Sequence, residues 1–274
     1  MKIKGLVKHL EKLAPLSLAE SWDNVGLLIE SSSARDITRV LATIDLTEPV
    51  VQEAITKKCS FVISYHPPIF SGMKRLTQQS AKDRIVIKCI ENGISVYSPH
   101  TSWDSIDNGV NDWLTSCFSF KSKAAITPNL AIEGTGMGRI ITLSSPLPLT
   151  KTCDIMRAHL GITHLRLGHA DPDQWAVRQG ESGQLYDIIS TIAVCAGSGG
   201  TLLKGVDADL YITGEMSHHE VLAAVAEGRN VLLSEHTHTE RGFLKFVTET
   251  LSKQVGEGVE FIVSESDCNP LDVV

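Results

Sequence analysis

Strand-like and helix-like runs alternate along most of this chain, and the alternation limits its fold more than any other feature. RVLATIDLT has the β-branched content of a strand, and EPVVQEAITKKC follows it with apolar residues near helical spacing. FVISYHP is the next strand, SAKDRIVIKCIENG a helix closed by Asn92-Gly93, and ISVYSPH another strand. A β-α-β-α-β order predicts a mostly parallel sheet covered by helices. Around KSKAAITPNLAIEGTGMGR the pattern dissolves into Gly, Pro and small residues, which points to a domain junction near residue 124. A second α/β series follows, from RIITLSS through IISTIAVCAGSGG, ADLYITGEMS, HHEVLAAVAEG and RNVLLSE. It closes with a helix, TERGFLKFVTETLSKQV, and a strand, VEFIVSES. The expectation is an α/β protein of two lobes with mostly parallel sheets. The first lobe takes residues 1–124 plus 238–274, because the last helix and strand return to it, and the second takes residues 125–237.

Charge and cysteine usage narrow the function classes. With 32 acidic and 25 basic residues the net charge is −7, and no dense Lys/Arg run occurs. Direct, phosphate-driven nucleic-acid binding is therefore not expected. The six cysteines are scattered with no C-x-x-C pair, a spacing that suits reduced thiols in an intracellular protein. MKIKGLVKHLEKLAP reads as a short amphipathic helix stopped by Pro15, unlike a signal or transit peptide. No uninterrupted apolar stretch is long enough for a bilayer, so the expectation is a cytoplasmic protein without a membrane partner.

Polar residues able to bind metal gather where the strands stop. FVIS runs into Tyr65 and His66, and Pro67-Pro68 then end the ladder. SPHTSWDS supplies His100 and Asp104, GEMSHHE supplies Glu215, His218 and His219, and SEHTHTERG supplies Glu235, His236, His238 and Glu240. Open α/β sheets place their sites beyond the carboxyl ends of strands. His66, Asp104, His236 and Glu240 repeat that one position, and mixed His/Asp/Glu ligation suits Zn, Fe, Mn or Ni. His9, His159, His164 and His169 read as ordinary surface or hydrogen-bonded residues. His218 and His219 open a helix, as donors behind the ligands, as substrate contacts or as part of the helix's first turn. GTGMG precedes a strand and reads as a turn. CAGSGG follows a strand and reads either as an anion-binding nest or as a plain tight turn. Trp22 in SWDNVGLLI reads as core, with Asp23-Asn24 in a turn.

Taken in order, SWDNVGLLI, SYHPPIF, SPHTSWDS, CAGSG, TGEMSHHE and EHTHTERGFL closely resemble the NIF-three-like family, some members of which are called GTP cyclohydrolase I type two homologues. The resemblance runs from about residue 5 to SDCNPL. It implies two α/β lobes flanking a dinuclear metal-binding cleft, in a toroidal homohexamer. The family's ligands fall on His66, Asp104, His236 and Glu240, with Glu240 at the position that touches both metals. Where many bacterial members have two histidines before the proline, this chain has Tyr65, as in the family's eukaryotic branch. A phenol, with a pKa of about 10, ligates less readily than imidazole. The implied content is thus one or two divalent ions per chain, with Tyr65 beside the second position, and His100 stays a further candidate ligand from its place after a strand.

Two function classes follow. One is a metal-dependent hydrolase, GTP cyclohydrolase-like, acting on a nucleotide or related heterocycle with His218 or His219 as proton carrier. The other is a non-enzymatic metal-handling protein or scaffold for protein partners such as transcriptional regulators.

Overall fold

Val40, Leu41, Ala42, Phe61, Val62, Ile63 and Val96 are all fully buried, the burial expected of parallel strands covered on both faces. They belong to a computed structural model that describes residues 1–32, 36–179 and 187–272. In chain order the strands are β1 (Gly26–Ile29), β2 (Arg39–Thr43), β3 (Phe61–Ser64), β4 (Ser95–Ser98), β5 (Phe120–Ala124), β6 (Thr127–Pro128) and β7 (Gly136–Met137). They continue with β8 (Arg139–Pro148), β9 (Arg166–Gly168), β10 (Ile188–Ser198), β11 (Leu210–Glu215), β12 (Asn230–Leu233) and β13 (Glu260–Val263). The contacts divide the chain into two compact units, Met1–Trp103 with Phe243–Asp272, and Asp104–Gly242.

In the first unit the sheet order is β1-β4-β3-β2-β13, parallel except for β1. Helices Glu48–Thr56 and Ala81–Glu91 begin where Thr47 and Ser80 accept backbone N–H bonds from the first turn. Their apolar faces, with Val50, Val51, Ala54, Ile85, Val86 and Cys89, pack with Leu41, Val62 and Val96 of the sheet. Helix Phe243–Val255 packs against β2, β13 and helix Ile3–Leu13, and β13 pairs with β2 at the edge of the sheet.

One carboxylate ties that returning segment down. Glu53, buried on helix Glu48–Thr56, accepts from the Ser264 hydroxyl (2.6 Å), the amides of Glu265 (3.0 Å) and Ser266 (2.9 Å), and the Lys57 ammonium (2.8 Å). Burial opposes its ionisation, but these donors outweigh it and hold its pKa at about 2, against an ordinary 4.5. Because the folded value is depressed, the stabilisation is present above pH 4.5 and is lost as pH falls toward 2, about 3 kcal/mol in all. Glu53→Gln should cost roughly that much near neutral pH and flatten the acid limb of a urea-stability profile. An unchanged acid limb in the variant would show that Glu53 is not the clamp.

The second unit holds the sheet β5-β8-β10-β11-β12-β9. Its centre, β10-β11-β12, is parallel, whereas β5, β8 and β9 run antiparallel to their neighbours. The segment expected to be a junction forms the edge strand β5 and the β6-β7 ribbon. It has no crossover helix, and strands joined without one pair antiparallel. The core combines Leu114, Phe118, Ile141, Met156, Trp175, Ile192, Val194 and Ile212. Arg139, 1 % exposed, sits inside this unit with its guanidinium on Asp112 and on the carbonyls of Gly136, Gly138, Ser105 and Ile106. GTGMG, expected as a turn, instead contains strand β7, and its Gly136 and Gly138, both at positive φ, turn their carbonyls to Arg139. All six cysteines are free thiols. Among the described residues no helix is long and apolar enough to cross a membrane.

Candidate metal centre

In the first unit three adjacent strands deliver polar groups at their carboxyl ends. β2 is followed by Asp45, β3 by Tyr65 and His66, and β4 by His100. The ladder continues past β3, since the Tyr65 and His66 amides donate to the Thr43 and Ile44 carbonyls (2.9 and 3.0 Å). The two rings nevertheless remain in contact, with Tyr65 1 % exposed and His66 half-buried. His66 Nδ1 lies 2.9 Å from Asp45 Oδ1, and His100 Nδ1 lies 2.7 Å from Asp23 Oδ1. Burial opposes the ionisation of Asp23, yet the bonds from His100 and from the Thr101 hydroxyl and amide hold its carboxyl below the usual carboxylate range. The His66 and His100 rings are 5.3 Å apart at 78°, with the Tyr65 ring 5.2 Å from one and 5.8 Å from the other. His100 takes φ +34°, a conformation a non-glycine residue adopts at some cost.

The second unit repeats the arrangement. Glu215 ends β11, and His236 follows β12 through Glu235, whose φ of +68° turns the chain sharply. His236 Nδ1 lies 2.8 Å from Glu215 Oε1, and its Nε2 lies 3.3 Å from Oε1 of the buried Glu240, one helical turn later. Asn111 donates to the Asp104 carbonyl (3.1 Å) and accepts from the Ala196 amide (2.9 Å), tying Asp104 to β10. Burial first, then the carboxylates of Asp104 and Glu240, push the Cys195 thiol far up, so it is no nucleophile. His238 instead directs Nδ1 to the Ser234 carbonyl (2.7 Å).

Gly197 settles the reading of CAGSGG. It has φ +65°, and a Cβ there would lie 2.8 Å from both Glu240 Oε1 and His236 Nε2. Its amide donates to the Thr239 hydroxyl, and that of Gly199 to the Thr213 hydroxyl. These two amides are therefore bonded within the protein, and the segment is the bulged end of β10 running into helix Gly200–Leu203, with room left for His236 and Glu240, and not the plain tight turn the sequence offered.

In each of the three histidines Nδ1 lies within hydrogen-bond distance of a carboxylate, the arrangement found behind histidines that ligate metal through Nε2. Within the second unit, His236 and the buried Glu240 present an imidazole nitrogen and a carboxylate oxygen 3.3 Å apart, a pair that could share a metal ion. The imidazole and carboxylate donors suit a borderline divalent ion.

A family model described as Duf34/NIF3 (NGG1p interacting factor 3) matches residues 1–270. The chain belongs to this family. It is 43 % identical over 277 residues to NIF3-like protein 1 of Drosophila melanogaster, covering 100 % of this chain and 89 % of that protein. It is 38 % identical over 292 residues to NGG1-interacting factor 3 of Saccharomyces cerevisiae, covering 99 % and 97 %. Its fold is that of a Bacillus cereus protein related to NIF3, with a TM-score of 0.85 at 20 % identity, covering 100 % and 99 % of the two chains.

For this Duf34/NIF3 chain, sequence reasoning missed Asp45 and gave Asp23 only a turn. Asp45 had a signal, since it too follows a strand. His218 and His219 are exposed at the start of helix His218–Ala226, their rings 5.3 Å apart, while Ser217 and Glu220 cap that helix reciprocally. Trp22, expected in the core, is 58 % exposed. Its neighbour Asp23 turns inward to His100 and Thr101, which leaves the indole outside.

Proposed function

We propose that this chain is a divalent-metal-binding hydrolase of the GTP cyclohydrolase-like kind, acting on a nucleotide or related heterocycle. The observation that carries the reading is the repeated carboxylate–Nδ1 pairing, which orients His66, His100 and His236 as ligands are oriented. The proposed ligands are His66, Asp104, His236 and Glu240, with Tyr65 and His100 beside a second position. The metal is Zn, Fe, Mn or Ni, one or two per chain. When bound, such an ion supplies Lewis acidity toward the scissile bond. Asp45, Asp23 and Glu215 hold the imidazoles, Gly197 keeps space beside Glu240, and His218 or His219 is the proton carrier.

The second reading, a cytoplasmic metal-handling scaffold with protein partners, is favoured by the yeast relative's name, interacting factor. In either reading the chain assembles with itself, most simply as a hexamer. Purified protein should contain divalent metal by elemental analysis, turn over members of a nucleotide panel and scatter light as a hexamer, and Glu240→Gln should abolish turnover. Metal without turnover across the panel favours the scaffold. Absence of metal removes both readings, and a monomer at micromolar concentration removes the hexamer.

A further inference from the structure

Two large aromatic side chains stand in water close to His100. Trp22 is 58 % and Phe70 48 % exposed, with ring centroids 6.1 Å apart. Both sit on segments held by hydrogen bonds. The Glu20 amide donates to the Thr101 hydroxyl, and the Asp23 amide to the Glu20 carbonyl (both 3.0 Å). Asp23 itself is fixed by His100 and Thr101, and the Asn24 side-chain amide donates to the carbonyl of Ile69, next to Phe70. The indole edge meets the His100 ring at 6.0 Å and 77°, and His100 in turn meets His66 at 5.3 Å. A row of rings thus runs from the exposed indole to the imidazoles.

Keeping an indole in water forgoes the stabilisation its burial would contribute, and apolar surface held in this way marks a place for a ligand. The patch's continuity with His100 and His66 places its occupant against the candidate metal centre. Aromatic faces of this kind take flat π-systems, because every base offers such a face. We propose that Trp22, backed by Phe70, is the stacking platform for the planar ring of a nucleobase-type substrate. The proposal rests on the hydrolase reading of the same centre and names the part of the substrate it recognises.

The test is equilibrium dialysis of guanosine 5′-monophosphate and of ribose 5-phosphate against native protein, Trp22→Ala and Trp22→Phe, with metal content measured on each sample. Native protein should bind the nucleotide with quenching of tryptophan emission, and ribose 5-phosphate at least about tenfold more weakly. Trp22→Ala should lower nucleotide affinity about tenfold or more, Trp22→Phe should keep most of it, and metal content should be the same in all three. Equal affinity in native protein and Trp22→Ala, equal binding of the two probes, or no nucleotide binding by native protein overturns the proposal. So does a changed oligomeric state in Trp22→Ala with nucleotide affinity intact, which would make the patch a contact between copies. Failure of the metal reading is separate, because it shows as native protein without metal.

Discussion

His236→Ala should strip nearly all bound metal from the purified protein while leaving its fold and urea midpoint close to native. His236 is half-exposed beyond the end of β12 and takes no part in the apolar clusters, so truncation opens no core cavity. Its place between Glu215 and Glu240 is lost, however, and removing a group that merely orients a ligand already costs 10–100-fold in metal affinity. Loss of the ligand itself should exceed that. Asp104→Ala should behave alike. His238→Ala should lose less, because from His236 the helical spacing brings Glu240 onto the same face and turns His238 away. Elemental analysis of the three variants decides the matter. Full metal in His236→Ala would remove that residue from the ligand set, and an equal loss in His238→Ala would reverse the choice between them.

The largest loss of stability should come from Arg139→Ala. The Arg139 guanidinium bonds both Asp112 oxygens at 2.9 and 3.1 Å and serves four carbonyls, in an environment where the arginine is 1 % exposed. Removing it leaves buried acceptors without their donor and Asp112 with only the partly exposed Lys123 as counter-charge (2.9 Å). Breaking a buried pair in this way costs about 3–5 kcal/mol. Replacing both partners, as in Arg139→Met with Asp112→Leu, should cost clearly less than Arg139→Ala alone, because no buried charge is left behind. Two of the carbonyls belong to Ser105 and Ile106, directly after Asp104, so metal content should fall together with stability in the single variant. A loss below about 1 kcal/mol by urea denaturation would show that the network contributes little.

The sequence by itself determined the α/β alternation, the strand ends and the residue types that cluster there. β3 and β4 were legible because short runs of β-forming residues, and the prolines after His66, act between neighbours in the chain. The contact of His236 with Glu240 was legible for the same reason, since the turn that joins them is a local spacing. The tertiary structure alone decided the rest. Asp45 reaches His66 across 21 positions and Asp23 reaches His100 across 77, pairings no local pattern encodes. Gly197 looks like any turn glycine until His236 and Glu240 crowd the space where its Cβ would stand. Trp22 reads as core because indoles are usually buried, and it is exposed because the neighbouring Asp23 faces inward to a distant histidine. Local periodicity specifies which face of an element is apolar. Which carboxylate meets which imidazole depends on where the chain returns in space, and that is settled only when the sheets assemble.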